Sequence, residues 1–306
     1  MCFLYCLRKR KMGSWIQMLI DGLVLASVGV VVVILNFAID PFHRGFFCDD
    51  ESIKHPFKES TVSTGVLIAV GTGLPVLCML LGEALIYCRG SGHKSHQMCS
   101  REVHPFVWSC YKVIGVFLFG ALVCQLLTDC CKYSIGRLRP HFISVCKPEF
   151  SALNCSTADD LMRYIVDYTC MGDAKLVHEA RLSFLSGHAS YSMYCMMYLA
   201  IYIQARMQWN RSRLLKPFLQ LVVITMALLT GLSRISDYKH HWSDVLAGLS
   251  LGAAVALVVS ALVSDLFKDR HIYTLPGNDY KKSDDYGSSA QVPPVKGSNL
   301  EEVEIK

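Results

Sequence analysis

Six long apolar runs alternate with polar segments along the chain. They occupy about residues 15–38, 63–88, 106–129, 189–205, 216–235 and 245–267. A helix needs roughly 20 apolar residues to cross the hydrocarbon core of a bilayer, and these runs approach or exceed that length. The fourth run is the shortest and the most polar, so a buried re-entrant segment is its alternative interpretation. The pattern predicts an all-α fold, a six-helix transmembrane bundle.

Composition supports a membrane protein rather than a soluble one. The chain is 52% hydrophobic and 18% charged, whereas soluble domains carry about 25% charged residues. The net charge of +5 is too small and too dispersed to indicate nucleic-acid binding. The first apolar run lacks a small-residue cleavage site, which argues against a signal peptide. We therefore expect the membrane bilayer as a partner and no nucleic acid.

The distribution of Lys and Arg predicts the orientation of the bundle, because short cytosolic loops are enriched in them. The basic residues cluster before the first run and after the second, fourth and sixth runs. They are Arg8, Lys9, Arg10, Lys11, Arg89, Lys94, Arg101, Arg206, Arg211, Arg213, Lys216, Lys268 and Arg270. Both termini are predicted to be cytosolic, with an N-terminal segment at 1–14 and a disordered tail at 271–306. The loops after the first, third and fifth runs then face outward.

Two glycosylation sequons test this orientation. Asn154 lies in the long outward loop, so we expect a glycan there. Asn210 lies in a basic loop predicted to be cytosolic, and we expect it to stay unmodified.

The cysteines predicted to face outward allow three disulfide pairings, and the sequence does not choose among them. They are Cys48, Cys146, Cys155 and Cys170.

The first of three polar motifs, residues 132–140, follows the third apolar run. If the helix continues through it, Lys132 and Arg139 lie seven residues apart on one helix face, and Pro140 ends the regular structure. Two cations on one face can bind a dianion, and Arg can bind phosphate oxygens in a bidentate manner. A basic membrane flank is the alternative, but outer flanks are usually poor in such charges.

The second motif, residues 183–188, precedes the fourth run. Ser186 and Gly187 are predicted to open a helix, whose first amides and dipole bind anions. His188 then lies beside any anion bound there. A simple serine cap followed by an interfacial histidine is the alternative interpretation.

The third motif, residues 233–244, joins the fifth and sixth runs. Arg234 adds a third cation, and His240 and Asp244 are neighbours if the segment is helical. An aspartate that orients one imidazole nitrogen leaves the other free to attack an electrophile. A metal site could be built from His188, His240, His241 and Asp244. The surplus of cations argues against one, and we expect no metal and no cofactor.

These motifs resemble the signature of the type 2 phosphatidic acid phosphatase superfamily. That signature reads Lys-x6-Arg-Pro, then Pro-Ser-Gly-His, then Ser-Arg-x5-His-x3-Asp, and Leu185 replaces the proline of its second part. Over about residues 15–270 the chain is similar to the lipid phosphate phosphatase branch, also called phospholipid phosphatases. The resemblance implies a six-span phosphatase domain at 15–270 with an active site on the outward or luminal face.

The resemblance also implies roles for individual residues. His240 would be the nucleophile, Asp244 would polarise it, and His188 would be the general acid and then the base. The substrate phosphate would be bound by Lys132, Arg139, Ser186, Gly187 and Arg234. Implied substrates are phosphatidate, lysophosphatidate, sphingosine 1-phosphate and ceramide 1-phosphate, hydrolysed without Mg²⁺. The branch suggests the plasma membrane, or endoplasmic reticulum or endosomal membranes, and homo- or hetero-oligomers.

Two other functions compete with lipid phosphate hydrolysis. A phosphotransferase or haloperoxidase-like relative could use the same oxyanion site. A transporter or a silent scaffold is a different class, and intramembrane carboxylates often line transport paths. Asp21 and Glu83 are candidates for such a path, although contact with lipid headgroups or with Lys112 is the simpler account. The complete set of motif residues favours an enzyme.

Overall fold

The computed structural model describes residues 14–88, 96–98, 101–149, 155, 162–207 and 212–267. The predicted tail at 271–306, the N-terminal segment before residue 14, and both sequon asparagines, Asn154 and Asn210, lie outside the described residues.

Five helices of the described residues are long and apolar enough to cross a membrane. They are α1 (Ser14–Ala38), α2 (Thr64–Cys88), α3 (Pro105–Ile135), α7 (Leu215–Ser236) and α8 (Trp242–Val258), the last extended by a π-helical turn at Val259–Val263. The fourth predicted span forms α6 (Gly187–Arg206), which is helical but too polar to count among the five. The mainly helical membrane fold is therefore confirmed.

Helix α6 is polar because it is the central helix of the bundle. It packs against α2, α3, α7 and α8, and most of its side chains are buried. Two of its tyrosines find partners in the neighbouring helices: Tyr194 donates its hydroxyl to the carbonyl of Phe117 at 2.7 Å, and Tyr202 donates to that of Met79 at 3.3 Å. Surrounded by protein rather than lipid, α6 can carry polar groups at low cost.

Two glycines of α8 bring its backbone against α6. A Cβ added to Gly252 would lie 2.2 Å from the carbonyl oxygen of Ser190, and one added to Gly248 would lie 2.7 Å from that of Ser186. Small residues allow helices to approach this closely within a membrane. The contact places the beginning of α6 beside the beginning of α8, and so joins the second motif to the third.

Short elements and two disulfides organise the connections between the long helices. The elements are β1 (Phe46–Phe47), a 3₁₀ turn (Glu51–Ile53), β2 (His96–Met98), β3 (Arg101–Val103), α4 (Phe142–Cys146), β4 (Tyr164–Ile165) and α5 (Ala174–Ala180). Strand β1 pairs with β4 and β2 with β3, both antiparallel. The disulfides join Cys48 to Cys155 and Cys146 to Cys170, which selects one of the three pairings.

Candidate active site

The three motifs meet at one end of the helix bundle. The first lies at the end of α3, the second opens α6, and the third joins α7 to α8. The ammonium of Lys132 lies against Gly187, since a Cβ added there would be 2.9 Å from Lys132 Nζ. The charges of Arg234, Lys132 and Arg139 are all within electrostatic range of His188. The structure thus brings the predicted cations and the two histidines into one cluster.

Helix α3 ends earlier than the first motif suggested. It stops at Ile135, and Gly136 adopts the left-handed conformation with φ of 56° and donates its amide to the carbonyl of Lys132 at 3.1 Å. A Cβ at Gly136 would lie 2.0 Å from the carbonyl oxygen of Phe42, so the turn requires glycine. The expectation that Lys132 and Arg139 share a helix face is therefore wrong. They approach each other across a turn instead.

Lys132 is held by a buried carboxylate that the sequence reasoning missed. Its Nζ lies 3.9 Å from Oδ1 of Asp129, one helical turn earlier. Asp129 also accepts hydrogen bonds from Asn36 of α1 and Gln125 of α3, each at 2.9 Å. The first helix thereby contributes to the placement of a cation in the site.

The second motif forms the predicted helix terminus. Ser186 is the N-cap of α6, and its hydroxyl accepts from the amide of Ala189 at 3.4 Å. The amide of Ser186 donates to the carbonyl of Asp244 at 3.1 Å, which ties this terminus to α8. The first amides of a helix lack intrahelical acceptors and lie at the positive end of its dipole. The terminus and the cations therefore present positive potential to the same space.

Arg139 carries a buried donor that the described residues leave without an acceptor. Its Nε is buried and has no hydrogen-bond partner within the described part of the chain. Its backbone amide donates to the carbonyl of Ala180 at 2.8 Å, which fixes the start of the side chain. Burial, together with the charge of Arg234, lowers the pKa of Arg139 to about 10, so it remains a cation at neutral pH. A buried cationic donor without an acceptor indicates a site for an anion.

His240 is oriented by a backbone carbonyl rather than by Asp244. Its Nδ1 lies 2.7 Å from the carbonyl oxygen of Ser183, but 4.0 Å from Oδ2 of Asp244. A carbonyl only accepts, so Nδ1 holds the proton and Nε2 keeps its lone pair. Burial, and then the charges of Arg139 and Lys132, place the pKa of His240 well below its usual value. The imidazole is therefore neutral and can act as a nucleophile.

Asp244 supports the loop around His240 without bonding to that ring. Helix α8 begins at Trp242, so His240 precedes it and the predicted helical pairing is absent. Asp244 is fully buried and accepts from Ser183 Oγ at 2.6 Å, Arg137 Nη1 at 2.5 Å and the amide of His241 at 3.1 Å. Asp244 therefore acts on His240 through Ser183, which the sequence reasoning did not single out.

His188 is also oriented by a backbone carbonyl. Its Nε2 lies 3.2 Å from the carbonyl oxygen of Val62, in the loop between α1 and α2. Because that oxygen only accepts, Nε2 carries a proton and Nδ1 is the atom left for proton exchange. No sequence signal could have indicated Val62, since every residue has a carbonyl group.

The intramembrane carboxylates have protein partners. Asp21 accepts a hydrogen bond from the hydroxyl of Tyr111. Glu83 accepts from Ser109 Oγ at 2.5 Å and lies 3.6 Å from the Nε of Arg206. Lys112 instead pairs with Asp265 at 3.3 Å. These contacts give both carboxylates a role in joining helices. Their partners are protein side chains other than the expected Lys112.

The site combines buried cations, a helix N-terminus and two histidines, which is the chemistry of a phosphate-transferring enzyme. Among the described residues, no three His, Cys, Asp or Glu side chains are grouped to hold a metal ion. Fold and site together define a membrane phosphatase.

Comparison with known proteins gives the family. The model of the PAP2 superfamily matches residues 113–268. Mouse phospholipid phosphatase 1 is 45% identical over 254 residues, 83% of this chain and 87% of the relative. A putative phosphatidate phosphatase of Drosophila melanogaster is 46% identical over 81% of this chain and 69% of the relative, and human phospholipid phosphatase 2 is 44% identical over 84% and 85%. No solved structure matches this chain. The chain belongs to the PAP2 superfamily, as a lipid phosphate phosphatase.

Proposed function

We propose that this chain hydrolyses the lipid phosphate monoesters phosphatidate, lysophosphatidate, sphingosine 1-phosphate and ceramide 1-phosphate without Mg²⁺, through a phosphohistidine on His240. The observation that carries the proposal is the 2.7 Å contact between His240 Nδ1 and the carbonyl of Ser183. It leaves Nε2 as a neutral nucleophile beside cations that can hold a phosphate.

In the first step, His240 Nε2 attacks phosphorus while Lys132, Arg139 and Arg234 neutralise the phosphoryl oxygens. The amide of Gly187 and the hydroxyl of Ser186 at the start of α6 add donors, since the amide of Ser186 is already bonded to the carbonyl of Asp244. The bond between phosphorus and the lipid oxygen breaks, and His188 gives that oxygen the proton that makes it an alcohol. The carbonyl of Val62 stabilises the protonated form of His188 before transfer.

In the second step, His188 takes a proton from water, and the resulting hydroxide attacks phosphorus. The bond between phosphorus and nitrogen breaks, inorganic phosphate leaves, and His240 regains its lone pair. Asp244 holds Ser183, and through it the His240 ring, in place during both steps.

We place α6 in the membrane as the fourth of six spans, with both termini in the cytosol and the site at the outward or luminal face. In support, α3 and α7 end where α6 and α8 begin, as expected for helices that cross alternately. The contacts of α6 with four apolar helices also favour a transmembrane position. A lipid could then present its headgroup without leaving the bilayer. Glycosylation of Asn154 but not Asn210, seen as a gel shift that Asn154→Gln removes, tests this orientation.

The proposed activity is tested by measuring phosphate release from lysophosphatidate in excess EDTA. We expect activity in the wild type and its loss in His240→Ala. His104→Ala is the matched control, because His104 precedes α3 at the opposite end of that helix. Full activity of His240→Ala would overturn the mechanism, and loss of wild-type activity in EDTA would indicate a required metal.

A further inference from the structure

The loop between α1 and α2 packs against the active-site motifs. We call residues 55–62 the covering segment. The amide of His55 donates to the carbonyl of Pro140 at 2.9 Å, in the first motif. At the other end of the segment, the carbonyl of Val62 contacts His188 of the second motif. The segment is thus attached at both ends to residues of the site.

The covering segment reaches the third motif through Thr61. The amide of Thr61 donates to Oδ2 of Asp237 at 2.8 Å, and its hydroxyl donates to Oδ1 at 2.8 Å. Lys58 Nζ lies 3.6 Å from the same carboxylate. Asp237 is fully buried, so these bonds to both of its oxygens set the plane of the carboxylate. Burial opposes the charge, but the bonds from Thr61 and the charges of Arg234 and Lys58 lower the pKa of Asp237 overall.

Asp237 in turn sets the position of Arg234. Arg234 Nη2 lies 2.6 Å from Oδ2 of Asp237, and its Nε and Nη2 each lie 3.3 Å from Ser233 Oγ. The Arg234 side chain is only 1% exposed. Among the residues that the structure describes, these contacts use Nε and Nη2, which leaves Nη1 for a ligand. The orientation of a planar guanidinium follows the carboxylate to which it is bonded.

We propose that Thr61 and Asp237 are positioning residues, which fix the Arg234 guanidinium in the orientation that binds the substrate phosphate. This inference rests on the proposed function, in which Arg234 binds that phosphate. The inference gives the covering segment a part in substrate binding, although that segment contains none of the motif residues.

The experiment uses the full chain in detergent and compares Thr61→Val with Thr61→Ser. Valine keeps the shape and removes the hydroxyl, whereas serine retains it. Thr64→Val is the matched control, since Thr64 is exposed at the start of α2. Each variant is assayed for KM and kcat with lysophosphatidate, and for the orthovanadate concentration that gives half-maximal thermal stabilisation. Thr61→Val is repeated on an Arg234→Lys background.

We expect Thr61→Val to raise KM and the vanadate midpoint about tenfold, the effect of one charge-assisted hydrogen bond, with a smaller change in kcat. Thr61→Ser and Thr64→Val should match the wild type, and Thr61→Val should have no further effect on Arg234→Lys. A vanadate midpoint unchanged by Thr61→Val would overturn the proposal. The same shift in the wild type and in Arg234→Lys would also overturn it. If Thr61→Val is too unstable to purify, Asp237→Asn is measured in the same way. The vanadate midpoint tests whether Thr61 and Asp237 orient Arg234 even if lysophosphatidate is not hydrolysed.

Discussion

The carbonyl oxygen of Ser183 accepts the Nδ1 proton of His240 at 2.7 Å, while the carboxylate of Asp244 lies 4.0 Å from the same nitrogen. Asp244 binds the hydroxyl of Ser183 at 2.6 Å instead. The aspartate of the third motif therefore positions the histidine through an intermediate residue.

This arrangement predicts the behaviour of Asp244→Asn. The backbone carbonyl of Ser183 still fixes the tautomer of His240, so kcat should fall by about 10- to 100-fold rather than vanish, as expected for loss of one positioning interaction. Ser183→Ala removes the same hydroxyl contact and should lower kcat by a similar factor. The double variant should be no slower than Asp244→Asn. Additive losses in a cycle of kcat measurements would contradict the indirect arrangement.

Gly187→Ala tests the approach of Lys132 to the helix terminus. The new Cβ would lie 2.9 Å from Lys132 Nζ and displace the ammonium. We expect Gly187→Ala to raise the KM for lysophosphatidate about tenfold. On a Lys132→Met background, Gly187→Ala should change KM little further. Gly115→Ala is the control, because its Cβ would lie 3.9 Å from Tyr111 Cε2, an ordinary contact. A KM unchanged by Gly187→Ala would place Lys132 outside the phosphate site.

The pH profile reports the charge around His240. Burial, and then Arg139 and Lys132, hold its pKa well below the usual value, so the wild-type nucleophile stays neutral as pH falls through 6.5. Arg139→Gln removes one positive charge, so the pKa of His240 should rise and the acid limb of kcat/KM should move to higher pH. Substrate ionisation is common to both enzymes and cancels in the comparison. A shift to lower pH would contradict the assignment.

The motif residues of the candidate active site could be predicted from the sequence, because their types and spacing match a known family signature. Lys132, Arg139 and His188 lie in one cluster, as their motifs suggested. Their connections could not be predicted, since the acceptors on Ser183 and Val62 are backbone carbonyls that any residue supplies. These contacts depend on where loops distant in sequence meet.

The turn after α3 was mispredicted for a different reason. The spacing of Lys132 and Arg139 fits a helix, and the intervening Gly136 could be tolerated in one. Tertiary contact decides the outcome, because only glycine fits against the carbonyl of Phe42. The polarity of α6 accompanies its burial at the centre of the bundle, where it packs against α2, α3, α7 and α8.

The central claim, nucleophilic attack by His240, is tested most directly by trapping the covalent intermediate. Protein is mixed with lysophosphatidate labelled in its phosphate, denatured under alkaline conditions that preserve phosphohistidine, and analysed by peptide mass spectrometry. We predict a phosphorylated peptide carrying the phosphate on His240, absent from His240→Gln. Phosphate on another residue, or a labelled His240→Gln, would contradict the mechanism.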